Sequence, residues 1–311
     1  MCGAAGPHTS RVRRVSRRYR GRFHVVPRWR SHRFLLGRSP GQKWNTIVCM
    51  PIADLNQQGI YFEDSGGTGP ALILGHGFLM DSRMFDAQVQ ALAPEFRIVR
   101  WDARGLGRTR WDGQPFTLYD SAADCIALLD HLGIQRAAVG GLSQGGYCAL
   151  RVALRSPERV RGLVLISTSG RADGESFRTA ARQVRDLWGT PGATENIVQL
   201  YAGAILGDPR FHSPWLDRWR QTPKGHFAAA MNNLIDRDDI EPRLGEIRCP
   251  AIVFHGVADT ALPVAEGQAL FDALPGRSRF VSIPGAAHAP TLTHPEAIYP
   301  PLVEFLRGLA S

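Results

Sequence analysis

Three side chains in this 311-residue chain have the types that nucleophilic catalysis needs: Ser143, His288 and Asp259. A serine hydroxyl is a weak nucleophile at neutral pH. It needs a base to take its proton, an acid to orient that base, and N–H donors for the oxyanion that forms. Ser143 stands in Gly141-Leu142-Ser143-Gln144-Gly145, a G-x-S-x-G pattern of the kind that turns sharply from a strand into a helix. Glycines two residues before and after remove side chains that would clash at such a turn. His288 lies in Gly285-Ala286-Ala287-His288-Ala289-Pro290, and Asp259 in His255-Gly256-Val257-Ala258-Asp259. Asp102, which also ends an apolar run, and Asp236, Asp238 and Asp239 compete with Asp259 for the role of the acid. The backbone N–H groups of Phe78, in Gly75-His76-Gly77-Phe78, and of Gln144 are candidates for the oxyanion hole. A second match to the pattern, Gly37-Arg38-Ser39-Pro40-Gly41, is a decoy. Pro40 has no N–H to donate, and no amphipathic helix follows it.

The elements that must position these residues alternate along the chain. Short apolar runs read as strands over Gly59–Glu63, Ala71–Leu74, Arg97–Trp101, Arg136–Gly140, Arg161–Ser167, Ala251–His255 and Arg279–Ser282. Segments with helical spacing lie between them: Met80–Leu92, Leu118–Leu132, the stretch after Ser143 carrying Tyr147, Leu150 and Leu154, Leu262–Leu274, and Pro295–Leu309, which opens with proline. This alternation predicts an α/β fold with a mostly parallel sheet covered by helices on both faces. In such sheets ligands bind at the carboxyl ends of the strands. Ser143, Asp259, His288 and Phe78 each follow a strand, in the chain order Ser, Asp, His. Residues 172–240 interrupt the alternation with helical pattern and no clear strand. Phe177, Trp188, Tyr201, Trp215, Trp219, Phe227 and Met231 make that insertion apolar, whether as its own packing or as a surface facing a substrate.

Over about residues 55–310 the sequence resembles the α/β-hydrolase fold superfamily, capped soluble bacterial type. It is similar to 3-oxoadipate enol-lactonases, cofactor-free haloperoxidase-like esterases and C–C bond hydrolases. The motifs that carry the resemblance are His76-Gly77-Phe78, Asp102-Ala103-Arg104-Gly105-Leu106-Gly107, Gly141 to Gly145, Asp259 with Leu262-Pro263, and Gly285 to Pro290. The resemblance implies an α/β-hydrolase core over 50–171 and 241–311, with 172–240 as a helical cap. It also implies a triad of Ser143, Asp259 and His288, an oxyanion hole at Phe78 and Gln144, a structural loop at Asp102, and His76 as a shaper of the oxyanion loop. His255 reads as structural. Related epoxide hydrolases and haloalkane dehalogenases place aspartate where this chain has Ser143, which argues against both activities.

Bulk properties narrow the function classes. The formal charge of +9 is concentrated at one end: 12 of the 37 basic residues precede Asp54, the first acidic residue. The remainder carries 25 basic against 28 acidic residues and offers no basic face for nucleic acid. Residues 1–49 are read as an Arg-rich extension that is disordered. Its competing origins are an organelle presequence, a nucleic-acid-binding arm, or a translated upstream region with Met50 the true start, which is the favoured reading. The five cysteines form no C-x-x-C pair and read as reduced thiols of a cytoplasmic protein. No ligand cluster or phosphate-binding loop implies a metal or organic cofactor, and no run is long enough to span a membrane. The sequence therefore points to a serine hydrolase that cleaves a small apolar ester, lactone or related carbonyl substrate through an acyl-enzyme. The alternatives are a C–C bond hydrolase with the same triad, or a non-catalytic ligand-binding protein on the same scaffold. The partner expected is a small-molecule substrate, with neither nucleic acid nor membrane. The oligomeric state is not legible.

Overall fold

A computed structural model describes residues 52–276 and 278–309. The expectations for residues 1–49, including the decoy at Gly37–Gly41, lie outside the described residues.

Among the described residues eight strands form one sheet: β1 (Ile52–Leu55), β2 (Gln58–Asp64), β3 (Ala71–Gly75), β4 (Arg97–Trp101), β5 (Ala137–Leu142), β6 (Val160–Ile166), β7 (Ala251–Gly256) and β8 (Ser278–Ile283). Their spatial order is β1-β2-β4-β3-β5-β6-β7-β8. β1 and β2 pair antiparallel, β2 meets β4 antiparallel, and every pairing from β4 to β8 is parallel. Between and after them come α1 (Asp86–Leu92), α2 (Leu118–His131), α3 (Gln144–Arg155), α4 (Glu175–Leu187), α5 (Ala193–Tyr201), α6 (Ser213–Arg220), α7 (Lys224–Ile235), α8 (Val264–Ala273), the single turn α9 (Pro290–Thr293) and α10 (Pro295–Gly308).

Strand side chains alternate between two cores because the strand period is two. Leu72 and Leu74 join Leu92 of α1 and Ile298, Leu302 and Leu306 of α10 on one face. Ile73, from the same strand, joins Cys125 and Leu128 of α2, Leu150 of α3 and Leu270 of α8 on the other. Each fully buried aliphatic side chain contributes about 1.5–3 kcal/mol, so a one-residue slip in register would forfeit both cores. Among the described residues, Cys125, Cys148 and Cys249 are free thiols, the first two buried.

Three expectations shift in detail. The sequence reading starts the regular structure at Gly59 and omits β1. The turn that attaches β1 uses Asn56 and Gln57, both at positive φ (47° and 65°), a hairpin geometry more often signalled by glycine. The single helix expected over Met80–Leu92 begins as a 3₁₀ turn at Ser82–Phe85, capped by the Asp81 side chain, before α1 proper. The strand expected over Arg136–Gly140 runs two residues further, to Leu142, so β5 ends directly at Ser143. Between β6 and β7 the chain forms α4 to α7, with a π-helical turn at Ala202–Leu206 and no strand.

Candidate active site

Ser143 joins the end of β5 to the start of α3 with φ 51° and ψ −109°, a region that non-glycine residues rarely occupy. The strain is held by its surroundings. The Ser143 N–H donates to the Ile166 carbonyl at 2.8 Å, and its own carbonyl accepts from Tyr147 N–H at 2.9 Å and from Thr168 Oγ1 at 3.0 Å. The flanking glycines have a tertiary reason. A Cβ on Gly141 would lie 2.2 Å from the Gly75 carbonyl oxygen, and one on Gly145 would lie 2.0 Å from the same atom. The turn is therefore pressed against the end of β3, and no side chain fits at either position.

β3 continues into the loop that carries Phe78. Met80 N–H donates to the Gly77 carbonyl at 3.1 Å, closing a turn with Phe78 and Leu79 at its corners, Leu79 at φ 60°. His76 sets this loop. Its Nε2 accepts from the Ala103 N–H at 2.9 Å, so the proton sits on Nδ1, which donates to the Gly77 carbonyl at 2.7 Å. Among the described residues neither the Phe78 N–H nor the Gln144 N–H has a protein acceptor.

Asp259 and His288 leave the carboxyl ends of β7 and β8. The two loops are tied together: Val257 N–H donates to the Ile283 carbonyl at 3.0 Å, and Ala258 N–H to the Ala286 carbonyl at 2.9 Å. Gly256 permits this approach, since a Cβ there would lie 2.2 Å from the Ala287 carbonyl oxygen. His288 Nδ1 then stands 2.7 Å from Asp259 Oδ2, with both residues buried. Asp259 Oδ1 accepts from the N–H groups of Ala261 (2.9 Å) and Leu262 (2.8 Å). Burial alone would push the Asp259 carboxyl up. The hydrogen bonds from His255 and His288, with the backbone donors, outweigh it and bring the group down to about 2. A carboxylate so placed accepts a hydrogen bond from Nδ1–H and so keeps the lone pair of His288 on Nε2.

Three of the four rival acids are engaged elsewhere, and Asp236 stands exposed at the end of α7. Asp102 is fully buried; it accepts from Ser82 N–H (2.7 Å) through Oδ1 and from Arg108 N–H (2.8 Å) through Oδ2. Asp238 pairs with Arg151 and accepts from the Tyr119 hydroxyl at 2.7 Å, and Asp239 accepts from Glu241 N–H. Sequence reasoning assigned His255 no contact with the acid. Its Nε2 lies 3.3 Å from Asp259 Oδ2 and 2.8 Å from the Leu262 carbonyl, and Gly267 leaves room for its ring. The three partners lie within eight residues of the chain, and the fold of the loop after β7 brings the ring to the other two.

Helices between β6 and β7 contact these loops. Phe78 meets Tyr201 and Phe227 edge to face, at ring centroids 6.1 and 5.4 Å apart, and Phe227 stacks on Trp188 at 3.9 Å. Ala289 N–H, next to His288, donates to the Ile205 carbonyl in the π turn at 2.9 Å. A cleft of about 390 Å³ lined by Arg97, Arg136 and Arg161 opens at the amino ends of the strands, the edge of the sheet opposite these residues.

Residues 70–295 match the model of the alpha/beta hydrolase fold family. The chain belongs to the α/β-hydrolase fold family. Among curated proteins this α/β-hydrolase is 29% identical over 273 residues to a putative carbamate hydrolase, RutD, of Caulobacter sp. (strain K31), covering 81% of this chain and 97% of that protein. It is 25% identical over 230 residues to 3-oxoadipate enol-lactonase 2 of Acinetobacter baylyi, covering 73% and 85%. Among solved structures, a thermophilic esterase from Thermogutta terrifontis superposes with a TM-score of 0.75 at 29% identity, covering 86% of this chain and all of that one. No helix among the described residues of this α/β-hydrolase is long and apolar enough to cross a membrane.

Proposed function

We propose that this α/β-hydrolase is a serine hydrolase that cleaves an ester, lactone or related carbonyl compound through an acyl-enzyme. The observation that carries the reading is the buried Asp259–His288 pair at 2.7 Å, at the same carboxyl edge of the sheet as the strained turn at Ser143. Asp259 holds the imidazole with Nε2 free to act as base. Ser143 Oγ attacks the substrate carbonyl as His288 takes its proton. The negative charge moves to the carbonyl oxygen, where the unpaired N–H groups of Phe78 and Gln144 are the donors. His288 then protonates the departing oxygen, and water, deprotonated by the same imidazole, releases the acid and restores Ser143. Residues 172–240 act as the cap in this reading. Their aromatic contacts with Phe78 make the roof over the oxyanion loop apolar, which suits a small apolar substrate and excludes water. The names of the relatives, an enol-lactonase and an esterase among them, support this substrate class.

A fluorophosphonate probe should label the protein, and Ser143→Ala should abolish the labelling. Labelling that survives the substitution would remove Ser143 from the nucleophile role. A screen of p-nitrophenyl esters of increasing chain length, run beside lactones, then orders the substrates.

A further inference from the structure

The proposed mechanism uses one imidazole, yet a second lies against the same carboxylate oxygen. His255 Nε2 is 3.3 Å from Asp259 Oδ2, the atom that faces His288 Nδ1 at 2.7 Å. It is also 2.8 Å from the Leu262 carbonyl. Carboxylate and carbonyl oxygens only accept, so Nε2 carries a proton and shares it between them. Asp259 thus has donors on both oxygens: its own loop supplies Oδ1 through Ala261 and Leu262, and two rings supply Oδ2.

The surroundings fix the His255 ring. Its backbone is rooted in the sheet, paired in register with Ser282 of β8, and the residue is fully buried. α8 closes against it with Gly267, where a Cβ would lie 2.2 Å from the ring Nδ1. That Nδ1 has no hydrogen-bond partner. A buried polar atom left unpaired is destabilising, and an apolar side chain of similar size would avoid the loss. What the histidine supplies instead is an N–H that reaches both the carboxylate and the far end of its loop.

We propose that His255 is a positioning residue for the acid of the site, a strut from β7 to the end of its loop that holds Asp259 Oδ2 toward His288 Nδ1. The proposal rests on the serine-hydrolase reading above. The backbone donors fix only Oδ1, and the His255 N–H fixes the other oxygen. Its donation also moderates the charge that Oδ2 presents to His288. Burial raises the Asp259 carboxyl, and the bonds from His255 and His288 lower it to about 2. Two further groups on neighbouring elements do not compete. Burial pushes the Tyr147 hydroxyl of α3 up, so it stays neutral where the enzyme is assayed. Glu266, beside Gly267 on α8, is turned to Ser169 and Arg171. Removing the His255 donor therefore leaves more negative charge facing His288. That favours the imidazolium and raises the pH at which the base is lost.

The test replaces His255 with two unbranched side chains of equal length, His255→Gln and His255→Met. Glutamine keeps an N–H near the position of Nε2, and methionine ends there in a methyl group. Wild type and variants are assayed with the best p-nitrophenyl ester for kcat, KM and the acid limb of kcat/KM, with active sites counted by fluorophosphonate. His255→Met should lower kcat about 3- to 10-fold, the worth of one neutral hydrogen bond, with KM unchanged. Its acid limb should move to higher pH by about 0.5–1 unit. His255→Gln should recover most of kcat and return the limb to the wild-type position. Equal losses in the two variants, or an acid limb that stays in place in His255→Met, would make the ring a packing element and overturn the proposal. So would failure of either variant to fold. A wild type that neither hydrolyses esters nor takes up fluorophosphonate would overturn the serine-hydrolase reading and this proposal with it. A labelled, active wild type whose two variants behave alike would overturn the proposal alone.

Discussion

Asp259 and Asp102 are both buried carboxylates at strand ends, and their partners separate their roles. Asp259 spends one oxygen on backbone donors and the other on imidazoles, whereas Asp102 spends both on the 82 and 108 backbones and Arg108. Asp259→Asn should therefore lower kcat by roughly 10³–10⁴-fold in the best ester assay, since an amide offers Nδ1 the wrong proton. Asp102→Asn should keep the folded protein active while unpairing a backbone donor. That costs about 1–3 kcal/mol, or roughly 2–4 °C of thermal midpoint per kcal/mol in a domain this large. A folded but inactive Asp102 variant beside an active Asp259 variant would reverse the assignment. The acid arm of the stability curve gives a second check. Asp259 is lowered from 3.8 to about 2 in the folded state, so its contribution to stability is complete above the unfolded value and is lost as pH falls from about 3.8 toward 2. In urea titrations the wild type should lose its advantage over Asp259→Asn across that window. A gap that stays constant down to pH 2 would mean the carboxylate is not stabilised by its partners.

At the scale of elements, the proposed site depends on how closely the end of β3 approaches the start of α3. Gly145→Ala puts a Cβ 2.0 Å from a backbone oxygen that cannot rotate away. The expected loss is more than the 1–3 kcal/mol typical of overpacking, with ester activity falling as Ser143 shifts. Gly225→Ala is the matched control. It lies in α7, a Cβ there meets nothing within 4 Å, and alanine should stabilise the helix by up to about 1 kcal/mol. Urea midpoints of the two variants distinguish them directly. If Gly145→Ala is as stable as the wild type, the packing of α3 on β3 is looser than described. The glycines of the G-x-S-x-G pattern are thus required by a neighbouring strand that the pattern does not contain.

For the whole molecule, the charge asymmetry suggests that catalysis belongs to the part after residue 49. A chain starting at Met50 keeps β1 complete. It is expected to retain full kcat/KM on the best ester and a thermal midpoint within a few degrees of the full chain, as about 1 kcal/mol moves a domain this size only roughly 2–4 °C. Insolubility, or loss of most activity at equal concentration, would place the Arg-rich segment in the fold or the site. The Arg151 guanidinium, almost fully buried, joins α3 to the exit from α7 by pairing with Asp238 and donating to the Asp238 and Tyr147 carbonyls. This contact links the element that begins at Ser143 to the helices proposed as the cap.

By itself, the sequence determined what repeats locally. Strand and helix periods placed seven of the eight strands and the main helices, because burial of alternate or every third to fourth side chain is written in the order of residues. The elbow at Ser143, the loop at Phe78 and the positions of Asp259 and His288 after strands were legible for the same reason. β1 was not, since its four residues earn their place only by pairing with β2. The tertiary structure alone decided which aspartate faces an imidazole, that His255 also touches Asp259, and that Gly75 is what the elbow glycines avoid. Apart from His255 and Asp259, four residues apart in the chain, these are contacts between distant segments. They depend on strand order and loop closure, and a local pattern carries no record of either.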